Sequence, residues 1–246
     1  MLSHDAAYPD GETIVSAADG IVKCSHRRVA IIGAGLGRKD APWSDPTWCF
    51  QALNEIWQIR YERHWECHPL SVQSDAELAW LERCRVPCYV LDLADAAARD
   101  VPDERPTAPE PGRLRPFAGV ANAVQYPLER VLAATGGRRY FTSTFSYQIA
   151  LAIADGFEAI GLWGVELYEG SARERTVELA CLEYWIGVAD GRGVKLTLGS
   201  PGLARRPYLY GYHYAEERDE VNARLDDLRW VLGETRKREG KELASP

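Results

Sequence analysis

Apolar residues fall into two rhythms along this chain. Short continuous runs recur at RVAII (28–32), Phe50 to Trp57, CYVLDL from Cys88, the stretch before Gly164 and VKLTL after Gly193, and turn residues bound them. Runs of this length predict buried strands. RHWECH (63–68) alternates in character and suits a short strand. Between these runs the apolar spacing turns helical. Asp75 to Cys84 carries Leu78, Trp80 and Leu81 on one face, with Ser74 or Asp75 as its cap. A second helix follows Pro127 and stops at Gly136-Gly137. Others are expected after Thr144, from about Glu174 to Ala189, and over 215–240, where Val221, Leu225, Leu228 and Leu232 share a face. Strands alternating with helices predict an α/β fold: a Rossmann-like, mostly parallel sheet with helices on both faces.

Within that frame, residues 1–26 read as a flexible arm and 27–246 as a single α/β nucleotide-binding domain. A loop or lid insertion is expected within 95–125, because Asp100 to Pro116 is rich in Pro, Asp, Glu and Arg. Loops this long in a compact domain are usually functional or disordered.

Composition narrows the partners. The formal net charge of −7 argues against broad nonspecific binding to nucleic acid or anionic membranes. Residues 1–20 lack the charged and apolar regions of a secretory signal, and no run approaches the length of a membrane span. Six cysteines (24, 49, 67, 84, 88 and 181) sit mostly in strand and helix patterns, as reduced thiols of a cytoplasmic protein do. Cys84 and Cys88, with His64, Cys67 and His68 nearby, include zinc-type ligands. However, Cys67 and His68 are adjacent and would point opposite ways on a strand. Buried thiols are the better expectation, with no metal and no cofactor.

Tyr140 to Tyr168, YFTSTFSYQIALAIADGFEAIGLWGVELY, is the most informative segment. It places Thr142, Ser143 and Thr144 at a helix N-terminus and Glu166 and Tyr168 at a strand exit. Ligands of open α/β sheets bind where strands end and helices begin. A merely well-packed βα unit is the alternative. The loop Gly33-Ala34-Gly35-Leu36-Gly37 follows RVAII as a phosphate-cradling loop would. Its pattern is G-x-G-x-G, and DAPWSDP (40–46) does not look like the helix a dehydrogenase needs there. A plain tight turn is the other option. Asn54 offers an amide to a phosphate or a base edge, or serves as a satisfied turn residue. His68, ending its strand before Pro69, is a candidate general base or phosphate ligand, or is structural. Glu166 suits holding a sugar hydroxyl or taking a proton, against a capping or salt-bridged acid. Tyr168 suits a leaving phosphate. Glu183 and Tyr184 read as scaffold as readily as site. PYLYGYHY (207–214), which holds His213, would stack a base or seal a core edge, and Arg205-Arg206 precede it.

The order of these motifs resembles bacterial sialyltransferases that use a CMP-sugar donor and combine one Rossmann-like domain with a lid. The shared order is a strand into a Gly loop, an Asn in a second strand, a T-S-T turn, A-I-A-x-G, and a strand ending G-[VI]-[DE]-x-Y. The resemblance covers Arg28 to Asn54 and Tyr140 to Tyr168. It implies that Gly33, Gly35 and Asn54 hold nucleotide phosphates, that Thr144 lies near the donor, that Glu166 replaces an aspartate, and that Tyr168 faces the leaving phosphate. The family has Asn where this chain has Ala34 and Ser where it has Gly37. Of the family's catalytic histidine the nearest counterpart is His213. ALNEIW, EYW (183–185) and LYGY (209–212) are also similar to a group of uncharacterised, mostly phage-encoded proteins, a likeness that brings no activity with it.

The expected function is a metal-independent, glycosyltransferase-like transferase with a nucleotide-activated donor, in which His68 and Glu166 are catalytic. The partner is a nucleotide or nucleotide-sugar, in the cytoplasm, or the host cytoplasm if the chain is phage-encoded. One alternative is a phage-type, non-catalytic nucleotide-binding protein. Another is a phage enzyme tailoring DNA bases, with Arg138-Arg139, Arg205-Arg206 and Arg236-Lys237-Arg238 as a local basic groove.

Overall fold

A computed structural model of the chain describes residues 15–16, 21–22, 26–54, 56, 61–93, 99–102, 114–117, 119–165, 167, 172–200 and 203, and in the tail 219, 222, 224, 225, 228, 229 and 232. The seven strands of the central sheet are β1 (Arg28–Ile32), β2 (Trp48–Leu53), β3 (Arg63–Glu66), β4 (Cys88–Val90), β5 (Ala123–Gln125), β6 (Ala159–Trp163) and β7 (Lys195–Leu198). They lie in the order β7-β6-β1-β2-β3-β4-β5, and every neighbouring pair is parallel. A parallel sheet covered on both faces needs strands that are apolar throughout. RVAII, WCFQAL and AIGLW meet that need, and nearly all their residues are buried. The fold is therefore the Rossmann-like α/β arrangement that the alternation predicts.

Four described α-helices flank the sheet: α1 (Asp75–Leu81), α2 (Leu128–Thr135), α3 (Thr144–Asp155) and α4 (Ala172–Asp190). Local chemistry sets their ends. The Ser74 hydroxyl accepts the Glu77 N–H at 3.2 Å to start α1. Gly136 and Gly156, both left-handed, stop α2 and α3. Alternation along β3 shows that the helices cover opposite faces. His64 meets Trp80 of α1 on one side, while Arg63 pairs with Asp155 of α3 on the other. Asp155 ends α3, so α3 runs antiparallel to the strands and brings its N-terminus to their carboxyl edge.

Packing is tight enough to dictate residue size. A Cβ at Gly161 or Gly199 would fall closer than 3.0 Å to the Trp163 indole, which also meets Trp48 edge-on. The two glycines make the space this ring fills.

Outside the sheet, Val15–Ser16 pairs antiparallel with Ile21–Val22, inside the expected arm. Of the expected lid, Arg99–Pro102 pairs antiparallel with Leu114–Phe117, and its last residues are β5 at the sheet edge. Residues 94–98, 103–113 and 118 lie outside the described residues. The chain divides into two compact units, Met1–Ala204 and Arg205–Pro246. The described sheet closes at β7, and the tail adds no described strand to it. Within the tail, Asp219, Asn222, Arg224, Leu225, Leu228, Arg229 and Leu232 are helical, as its apolar spacing predicts. No helix among the described residues is long and apolar enough to cross a membrane.

One buried residue makes the fold acid-sensitive. His64 is fully buried between the Tyr61 and Trp80 rings, and neither ring nitrogen has a hydrogen bond. Burial pulls its pKa from 6.5 down to about 3. The unfolded chain then binds the extra proton first, so stability is full above pH 6.5 and falls as the pH drops toward 3. At about 1.4 kcal/mol per pH unit, roughly 2 kcal/mol is lost at pH 5. His64→Phe keeps the ring packing and removes the proton site. Its Tm is expected to fall less than the wild type's between pH 7.5 and 5.0, and an equal fall would remove His64 as the cause.

Candidate functional site

The sheet reverses direction between β6 and β1: β2 to β5 extend away on one side of β1, and β6 and β7 lie on the other. In open α/β sheets this switch point, at the carboxyl ends of the strands, is the ligand crevice. Gly33–Gly37 leaves β1 there. Instead of a long helix it enters a short 3-10 turn, Leu36–Asp40. Its backbone is fastened to the end of β6, because Gly33 N donates to Trp163 O and Gly35 N to Gly164 O, each at 2.8 Å. Gly33 is buried, whereas Ala34 and Leu36 are exposed and Gly35 and Gly37 are half-buried.

The glycines in this loop differ in what they do. A Cβ on Gly33 would fall closer than 3.0 Å to Gly164 O. A Cβ on Gly164 would lie 2.5 Å from Gly33 O and 2.9 Å from Gly35 O, and Gly164 has φ +71°. These two glycines let two main chains touch. Gly35, at φ −65° and ψ 167°, adopts a conformation open to any residue.

The polar turn sits beside this loop. Phe145, in the first turn of α3, packs its ring against Gly33. Ser143 is the N-cap: its N–H donates to Ser146 Oγ at 3.4 Å, and Ser146 Oγ donates to Ser143 O at 2.5 Å. The Ser143 hydroxyl itself is buried and makes no hydrogen bond. Thr144 bonds to the Cys67 thiol just beyond β3. The Thr142 hydroxyl donates to Val177 O of α4 at 3.3 Å.

Asn54 follows β2 in a left-handed conformation, φ +47°, which Asn tolerates better than most residues. Its N–H donates to Trp65 O at 3.1 Å, tying it to the end of β3, and its Oδ1 is buried without a partner. Gln148 is fully buried with neither amide atom bonded, one turn along α3 from Thr144 and on the same helix face. His68 extends from the end of β3 and is about half exposed. Glu166 and Tyr168 lie outside the described residues, as do His213, Arg205 and Arg206.

The sequence pattern missed three contributors to this edge. Gly164 is one, because its partner is far away in the chain. Gln148 is another, hidden in the apolar helix run. The third is Glu66, the last residue of β3, whose side chain is wholly buried. Its Oε1 accepts from His68 N–H at 3.0 Å and from Gln73 Nε2 at 2.9 Å, and its Oε2 is buried and unbonded. A carboxylate two residues before His68, within an apparent strand, was the available signal. Burial pushes the Cys67 thiol up to about 12, with Glu66 adding to the effect and the Thr144 bond opposing it. Cys67 is therefore no nucleophile near neutrality. Among the described residues no cluster of three or more His, Cys, Asp or Glu has the form of a metal site.

Buried polar atoms in native folds nearly always have partners. Among the exceptions here, Asn54 Oδ1, Glu66 Oε2, Ser143 Oγ and the Gln148 amide lie at or near one sheet edge, beside a glycine loop and a helix N-terminus, while the His64 nitrogens and Arg130 Nε lie elsewhere. The carboxyl ends of β6, β1, β2 and β3 are neighbours, and at roughly 4.8 Å per strand they span about 14 Å. That length suits an extended ligand.

The chain is thus a Rossmann-like α/β protein with a polar rim at its switch point. No protein-family model matches it, and no curated protein matches it. Among solved structures it is similar to the sialyltransferase CstII from Campylobacter jejuni. In complex with cytidine-5'-monophosphate, that protein is 14% identical, with a TM-score of 0.41 over 71% of this chain and 80% of that one. The complex with CMP-3FNeuAc gives the same values. The complex with a trisaccharide acceptor and CMP is 15% identical, with a TM-score of 0.39 over 71% and 81%. At that distance neither a site nor an activity transfers from those enzymes to this chain. The likeness to phage-encoded proteins has no support in these comparisons.

Proposed function

We propose that this chain is a glycosyltransferase-like transferase that binds a nucleotide-activated donor along the carboxyl edge of β6, β1, β2 and β3. The observation that carries the proposal is the joining of the Gly33–Gly37 loop to Gly164 at the switch point, beside the N-terminus of α3. The first amides of α3 and the positive end of its dipole favour an anion. Asn54 and Ser143 flank that position with oxygens able to meet donor hydroxyls. In the proposed reaction, amides at this edge and Tyr168 stabilise the leaving phosphate, Glu166 holds the donor, and His68 takes the proton of the acceptor hydroxyl. The sequence has no D-x-D motif, so transfer is proposed without a metal.

A thermal-shift screen across CMP, UMP, AMP, GMP and their sugar conjugates tests the ligand class, because selective binding raises Tm by mass action. Gly35→Val keeps an allowed backbone and places a branched side chain where the phosphate approaches. It is expected to remain folded and to bind the selected nucleotide about tenfold or more weakly, the loss of roughly one charge-assisted hydrogen bond. Unchanged affinity in folded Gly35→Val would remove the loop from the site. Binding without turnover of any conjugate would make the chain a nucleotide-binding protein instead, and salt-dependent binding of DNA would favour the base-tailoring alternative.

A further inference from the structure

On the basis of the transfer reaction just proposed, we infer that Glu66 is a positioning residue for His68: its buried carboxylate holds the Nδ1 edge of the imidazole and leaves Nε2 to receive the acceptor's proton.

Glu66 Oε1 meets His68 twice. It accepts the backbone N–H at 3.0 Å and lies 3.4 Å from Nδ1 of the ring. The first contact fixes where the histidine leaves the strand, and the second fixes the rotation of the ring. Gln73, itself buried, grips the same oxygen from the turn that follows Leu70–Val72. The carboxylate is therefore held from both sides. Burying a carboxylate is costly unless its lone pairs are used; three donors converge on Oε1, while Oε2 is buried without a bond. The Glu66 side chain is wholly enclosed while that of His68 is half exposed, so the pair runs from the core out to the rim.

Chemically, a carboxylate at Nδ1 selects the tautomer whose Nε2 lone pair is free, and it stabilises the imidazolium once formed. The acceptor O–H proton moves to Nε2. The oxygen's electron pair forms the new bond to the donor's anomeric carbon, and the bond from that carbon to the phosphate oxygen breaks with its electrons leaving on the phosphate. Glu66 takes no proton. Other groups facing His68 agree in sign. The Glu66 hydrogen bond raises the imidazole's pKa above 6.5, burial opposes it, and the charges of Glu66 and of Glu178 from α4 raise it further. The neighbouring Cys67 thiol stays protonated and adds no charge.

The test is nitrogen-15 histidine NMR on the full chain, with the His68 signals assigned from His68→Asn. In the wild type the neutral form of His68 is expected to be the Nδ1–H tautomer, titrating above 6.5. In Glu66→Gln the titration should move to lower pH and the Nε2–H tautomer should dominate. Should Glu66→Gln fold poorly, Glu66→Asp retains the charge but falls short of the ring and should show the same loss. Glu178→Gln should lower the titration and leave the tautomer unchanged. With the conjugate chosen by the screen, Glu66→Gln should lower kcat about tenfold or more, move the acidic limb of the pH profile to lower pH and leave donor KM unchanged. An unchanged His68 tautomer in both Glu66 variants would overturn the inference. A changed tautomer in a chain that turns over no nucleotide conjugate would overturn the proposed function and the positioning role with it, while the pairing itself would stand.

Discussion

Gly33→Ala and Gly164→Ala are each expected to leave little folded protein. The added methyl has nowhere to go. At Gly33 it would meet Gly164 O and Gly164 C, both backbone atoms, and at Gly164 it would meet Gly33 O, Gly35 O and Arg38 Cβ. Backbone at strand ends cannot give way as a flexible side chain does. Separating the two segments would break Gly33 N to Trp163 O and Gly35 N to Gly164 O. Overpacking of this kind costs about 3 kcal/mol or more, and at Gly164 a left-handed alanine adds roughly 1–2 kcal/mol. Against a total stability of about 5–15 kcal/mol, that is a large share. Urea midpoints measured beside Gly35→Val as the tolerated control provide the check. Wild-type midpoints in either alanine variant would mean that the two loops do not touch as described.

The second large effect is expected at the opposite end of α3. Arg63 opens β3 with its side chain 2% exposed and pairs with Asp155 Oδ2 at 2.9 Å, while Arg130 of α2 reaches Asp155 Oδ1 at 2.6 Å. Asp155 thus ties the sheet to two helices. Asp155→Ala removes a counter-ion from the buried Arg63 guanidinium, and breaking a buried pair in this way costs about 3–5 kcal/mol. Replacing both partners, Arg63→Met with Asp155→Leu, removes the buried charge altogether and is expected to recover most of the loss. Equal midpoints for the single and double variants would refute that account.

What could be read from the sequence and what could not divide along physical lines. Local patterns carried six of the seven sheet strands, the helix ends at Ser74 and Gly136, and the missing helix after the Gly loop, because each depends on residues only a few positions apart, whereas β5 read as part of the lid. Which strands are neighbours did not follow from them. The pairing of β1 with β6 joins Arg28 to Ala159, and nothing in either segment names the other. For the same reason the contact of Gly33 with Gly164 could not be read from the loop itself. His68 was visible at a strand end before a proline. Its partner Glu66 was not, since alternation in RHWECH suggests one face toward solvent while all four residues of β3 are buried. The Tyr-rich segment at 207–214 lies outside the described residues, as do Glu166 and Tyr168.

Contact between Gly33 and Gly164 through main chain alone has a consequence for how this edge can evolve. The shape of the rim is written in backbone, so the loop's outward side chains are released from any duty to the fold. Ala34 is exposed, and Leu36 is 88% exposed. Substitutions at these two positions are expected at almost no cost in stability, since exposed changes away from special features usually stay within about 0.5 kcal/mol. Lineages carrying this scaffold are free to vary the surface of the rim through single steps at 34 and 36, whereas 33 and 164 are closed to such drift.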